Sequence, residues 1–278
     1  MADSLNNSRS ASGHLFNNNP VIRKLAKVQE TDAQNCCTYA GIRAKLVYFM
    51  VMVVLGAVAS LFVRTRSIHW SGSVLYSAEG ITMTSTEVLF IGAIAIVFIL
   101  SLILSLLIKA TIPVTGALYC LSTGYLVSWA AYTFGKEYAS LILLALLITA
   151  VVVTILGYLY FSGKVQVTKK LRTVLIALVF TVLGISLLSL IMYLIPFTRS
   201  FVSSLMDNAV LSIAGSVVMV VIACLFLLVD FDTIRGAVED ELPKKYEWWA
   251  AYGLAFSVIW LFFKILELLG KLKGNNKN

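Results

Sequence analysis

The sequence predicts an all-α fold, a polytopic bundle of seven transmembrane helices. Three observations carry that expectation. The chain is 59% hydrophobic and only 13% charged, where ordinary soluble domains are about half apolar and about a quarter charged. Its mean hydropathy is +0.90. Seven apolar runs come close to or exceed the roughly 20 residues a helix needs to cross a hydrocarbon core about 30 Å thick, and none alternates as a barrel strand would.

Residues 1–43 are polar, with clusters of Asn, Ser and Gly, and read as a largely disordered tail rather than a signal peptide. The first span is expected over 46–63 and the second over 88–108. Glu87, behind Ser85 and Thr86, favours the N-terminus of the second span, where the helix dipole stabilises an acid. The third span, 112–134, starts beside Pro113 and is the least oily. Its small residues (Gly116, Ala117, Ser122, Gly124, Ser128, Ala130 and Ala131) predict close helix packing near the bundle core. Plain apolar runs give the fourth and fifth spans, 138–161 and 173–197. The sixth, 209–229, opens behind Asp207. In the seventh, 248–269, Lys264, Glu267 and Lys271 stand at i, i+3 and i+7 and can pair along one face. The membrane domain is thus expected over 44–270, with a polar C-terminal tail over 271–278.

Orientation follows from the basic residues in the loops. The tail and the loops after spans two, four and six carry fourteen Lys and Arg, against eight on the opposite side. The N-terminus is therefore expected in the cytoplasm and the C-terminus outside. The net charge of +8 then marks orientation and attraction to an anionic lipid bilayer, and no nucleic-acid partner is expected. Cys120 and Cys224 fall inside spans and read as packing residues. Cys36 and Cys37 are adjacent in the tail near the first span; they read as reduced thiols, with reversible acylation as the alternative.

No phosphate loop, nucleophile elbow, zinc motif or dinucleotide turn occurs, and the loops leave no room for a soluble catalytic domain. His14 and His69, the two histidines, lie outside the spans, which removes an intramembrane Ser–His pair; two aspartates on facing helices stay open. The expectation is a protein that is not an enzyme and has no cofactor and no metal site.

The chemistry concentrates in "VDFDTIRGAVEDELPKKYEWW", residues 229–249, which holds six acidic residues between two spans. Asp230 and Asp232 close the sixth span, where the dipole, partial burial and the neighbouring like charge all oppose the ionised form. Two positions apart is about 200° around a helix, so the two cannot face the same surface. Asp232 has Arg235 at i+3 as a candidate partner. Asp230 has Thr233 and Ile234 at i+3 and i+4, which leaves it the stronger candidate for a perturbed carboxyl. Glu247 opens the seventh span at similar depth and can come near Asp230.

The segment "LLVDFDTIRGAVEDELPKKYEWWAAYGLAFSVIWLFFKILELLGKL" resembles the C-terminal part of the Bax inhibitor-1 / YccA-like (TMBIM) membrane family, through its D-F-D-x-I run, its P-K-x-x-E-W opening of the last span and its W-L-x-x-x-I-L-x-L-L ending. "NNNPVIRKLAK" resembles the start of bacterial members. The resemblance implies a seven-helix bundle with the last helix central, in a bacterial plasma membrane. It also implies a pH-sensitive calcium leak in which an aspartate ending span six shares a proton with one in span seven. Asp230 matches the first of these; the second falls near Ser257, which is not acidic. Where many bacterial members carry a glutamate in span three, this chain has Thr123. The expected ion pathway and pH sensor is therefore Asp230, with Asp232 and Glu247. YccA-like relatives also resemble modulators of a membrane-bound AAA protease, which gives a second function class, acting through the N-terminal tail with a membrane protease as partner.

Overall fold

The computed structural model describes residues 36–65, 74–78, 81–194 and 208–275. Most of the expected tail, together with Asp207 and both histidines, lies outside the described residues. The helices are α1 (Tyr39–Thr65), α2 (Ser85–Leu107), α3 (Ile112–Thr133), α4 (Lys136–Phe161), α5 (Lys169–Leu194), α6 (Ala209–Glu239) and α7 (Tyr246–Asn275). Among the described residues, these seven are long and apolar enough to cross a membrane. A short antiparallel hairpin, β1 (Val74–Ala78) and β2 (Ile81–Thr84), precedes α2.

Local chemistry sets several boundaries. Thr38 caps α1 by accepting the Gly41 N–H on its Oγ1 at 3.0 Å. A single 3-10 turn, Lys109–Thr111, joins α2 to α3, and Pro113 sits in the first turn of α3, where a missing N–H costs nothing. Gly135 and Gly163 flank α4 with positive φ, 84° and 72°. Asn208 caps α6, accepting from the Leu211 N–H at 3.1 Å; the acid before it was the residue singled out from the sequence.

Two helices hold the centre. Helix α3 has the lowest mean hydropathy of the seven spans, 1.2, and the largest buried share. Small residues explain why: Gly56 on α1 lies against the Leu121 carbonyl and Gly124 on α3 against the Val53 carbonyl, so a Cβ at either glycine would collide with backbone. Helix α7 packs against α1, α3, α4 and α6, and its Ala251, Ala255 and Leu261 are fully buried. Helix α5 sits at the edge, in contact with α6.

Three helices extend well beyond the apolar runs. Helix α7 reaches Asn275 rather than 269, so residues 271–275 of the expected C-terminal tail are helical, because Lys271 pairs back to Glu267 along the helix. Helix α1 begins at Tyr39 rather than 46, and α6 continues to Glu239 rather than stopping at 229. Asp230 and Asp232 therefore do not occupy the last turn of α6. The dipole acts within the last turn, so it does not bear on Asp230, and burial is what makes that position unusual.

Candidate functional site

Asp230 and Asp232 point to different sides of α6, as their separation requires. Asp230 faces α7. Its Oδ2 is buried and has no hydrogen-bond partner; among the described residues it shares that condition with the Tyr252 hydroxyl. Across the seam stand Gly253, where an added Cβ would lie 3.8 Å from Asp230 Oδ1, and Ser257, buried and beside the same carboxylate. A cavity of about 280 Å³ opens here, lined by Asp230, Thr233, Ala237 and Leu242 and by Tyr246, Trp249, Ala250 and Gly253 on one face of α7. Lys109, in the α2–α3 connection, places its ammonium 3.6 Å from the centre of the Trp249 ring.

Asp232 faces the other way. Its Oδ2 pairs with Arg172 Nη2 at 2.9 Å, and its Oδ1 accepts from the Tyr160 hydroxyl at 3.0 Å. The expected Arg235 pair does not form. Arg235 instead pairs with Glu239 at 2.6 Å, one helical turn ahead, because the extension of α6 supplies a carboxylate at i+4. These residues line a polar cleft of about 610 Å³ between α4, α6 and the start of α5.

Glu247 is fully buried, and its carboxylate is committed to α1 rather than to Asp230. Oε1 accepts from the Thr38 N–H at 3.0 Å and from the Thr38 hydroxyl at 3.2 Å, while Oε2 pairs with Lys45. In a capping box, a Glu at the third position of a helix returns to the N–H of its own cap residue. Here that position is Gly41, and Glu247 from α7 supplies the carboxylate. A Cβ at Gly41 would occupy the space that the carboxylate fills. The sequence signal is a threonine cap with glycine where the box needs an acid, and a lysine, Lys45, one turn further along the same helix.

The chain continues this contact outward. Cys37 N–H donates to the Leu242 carbonyl at 2.7 Å, its thiol reaches the Pro243 carbonyl at 3.4 Å, and Cys36 forms an isolated antiparallel bridge with Pro243. Burial pushes the Cys37 thiol up from its ordinary range, and the Glu247 carboxylate adds to that. Thr123 is buried on α3, with its hydroxyl turned back to the Tyr119 carbonyl at 2.8 Å. It lines an apolar crevice between α1, α3, α4 and α7, away from the Asp230 cavity. At the far end of α7, Glu267 bridges Lys264 at 2.9 Å and Lys271 at 2.7 Å, as the spacing predicts. No group of three or more metal-ligating side chains occurs among the described residues.

A bundle of seven apolar helices around a buried carboxyl defines an integral membrane protein. The chain matches the family described as Bax inhibitor 1 like over residues 19–274, and it belongs to that family. No curated protein and no solved structure matches it.

Proposed function

We propose that this protein is a pH-sensitive cation leak, with calcium as the expected ion, in which protonation of Asp230 sets the conducting state. The carrying observation is the buried Asp230 Oδ2 with no partner, facing a cavity on the α6–α7 seam. A desolvated carboxylate with one oxygen unpartnered, and only the Ser257 hydroxyl beside it, needs a proton or a cation to offset its charge. Among the described residues no basic side chain pairs with it and no second carboxyl lines the cavity; Ser257 lies beside it, Tyr246 and Trp249 line the cavity, and Lys109 sits on the Trp249 ring. The missing acid at Ser257 leaves one titrating carboxyl on the seam and hence one apparent transition. The reading includes a cytoplasmic N-terminus, a plasma-membrane location, no enzymatic activity and no bound cofactor. Thiol labelling of a cysteine placed at Gln166 from the inside and at Asn275 from the outside tests the orientation.

Calcium flux into proteoliposomes between about pH 5 and 8 tests the mechanism. Asp230→Asn flattens the pH response, whereas Asp232→Asn changes it less, because that carboxylate is held by Arg172 and Tyr160. Wild-type pH dependence in Asp230→Asn would remove Asp230 as the sensor. The docking of residues 36–38 on the α6–α7 loop supports a second reading, a modulator of a membrane protease acting through the tail. Deleting residues 1–35 separates them: the modulator loses function and the leak keeps it.

A further inference from the structure

We propose that residues 36–38 form a strap that holds the α6–α7 loop closed over the Asp230 cavity, so that the base of the tail controls access to Asp230. This rests on Asp230 being the site of the leak only for its consequence; the strap itself is a matter of geometry.

The loop has two faces. On one, Leu242, Pro243 and Glu247 accept the strap, through the Cys37 N–H, the Cys36 bridge and the Thr38 N–H and hydroxyl. On the other, Leu242 and Tyr246 close the cavity that holds Asp230. The same short segment therefore anchors the tail and covers the carboxylate. The turn between these anchors and α6 is the left-handed cap of that helix: Glu241 has φ of 50°, its N–H donates to the Val238 carbonyl at 3.2 Å and the Leu242 N–H to the Ala237 carbonyl at 3.1 Å. With the strap bonded, the loop is fixed at both sides of that turn. With it released, only the cap of α6 holds the turn, and the segment from Leu242 to Tyr246 can swing away from the mouth of the cavity.

The experiment reads carboxyl accessibility rather than flux. The full-length protein in liposomes is treated with a water-soluble carbodiimide and an amine nucleophile, and modification at each acid is quantified by mass spectrometry. Glu239, exposed at the end of α6, is the internal reference. Asp230 is protected in the wild type and in a chain lacking residues 1–35, which keeps the strap. Its labelling rises several-fold relative to Glu239 in a chain lacking residues 1–38. It rises likewise in Cys37→Pro, which removes the N–H donated to Leu242 while leaving the Thr38–Glu247 bonds and the Lys45 pair in place. Equal Asp230 labelling in the wild type and in Cys37→Pro would overturn the strap. Raised labelling with no flux in any variant supports the strap and overturns the leak.

Discussion

The carboxylate of Glu247 accepts the backbone N–H of Thr38, a residue 209 positions earlier in the chain, at 3.0 Å. The first and last helices of the bundle are thus joined by one fully buried side chain, with Lys45 neutralising its charge. Removing one partner of a buried pair leaves an uncompensated charge and costs about 3–5 kcal/mol. Lys45→Met therefore destabilises the protein by roughly that amount, since it leaves Glu247 buried and ionic. Lys45→Met with Glu247→Gln recovers most of it, because glutamine still accepts from Thr38 and no charge remains. Thermal unfolding of the two proteins in one detergent checks both, and equal losses would show that charge is not the issue.

Ser257→Asp puts a second carboxyl beside Asp230. Two acids at that separation release protons in two macroscopic steps. The flux response of this variant should split into two transitions where the wild type has one. Restoring Asp230→Asn in the same chain should return it to one. A single unshifted transition in Ser257→Asp would show that residues 230 and 257 do not sense each other.

Gly56 and Gly124 each meet the opposite backbone at the α1–α3 crossing. Gly124→Ala forces the helices apart, and overpacking of this kind costs about 1–3 kcal/mol. Gly92, with nothing within 4 Å of an added Cβ, is the control. Gly92→Ala should leave the melting temperature unchanged or slightly raised, since alanine is the better helix former.

Cys37 stays a thiol at neutral pH, because burial and the nearby Glu247 both push its pKa up. The thiolate is the nucleophile, so alkylation of Cys37 lags that of a free cysteine peptide at pH 8. The lag narrows as pH rises through the elevated value. A rate equal to that of the peptide at pH 8 would contradict the burial.

Apolar runs made all seven spans legible, and the small residues of span three announced a closely packed helix near the core, though not that α1 is the helix it meets. The ends were less legible, because hydropathy records the lipid core while a helix continues for as long as its backbone bonds are made. The "DFDTIRGAVE" segment stays helical past the apolar run, and that extension moved Asp230 away from the helix end and gave Arg235 a carboxylate at i+4, Glu239. Asp230 was legible as the unpaired acid because its i+3 and i+4 neighbours are uncharged. Its neighbour Ser257 was legible through the family pattern. The true partners of Asp232 and Glu247 were not, since Arg172 and Thr38 lie 60 and 209 positions away and no local spacing rule reaches that far.

Thr38 also dates the molecule's completion. A ribosome adds about 5–20 residues per second, so the 209 positions between Thr38 and Glu247 take about 10–40 seconds to make. For that interval the first helix sits in the membrane with its cap unfinished and Lys45 without its acid. The bond closes only when the seventh helix has been inserted with its N-terminus on the same side as that of the first. A nascent chain that stops early, or whose last helix enters the wrong way round, leaves the Thr38 N–H and the Lys45 ammonium without this carboxylate.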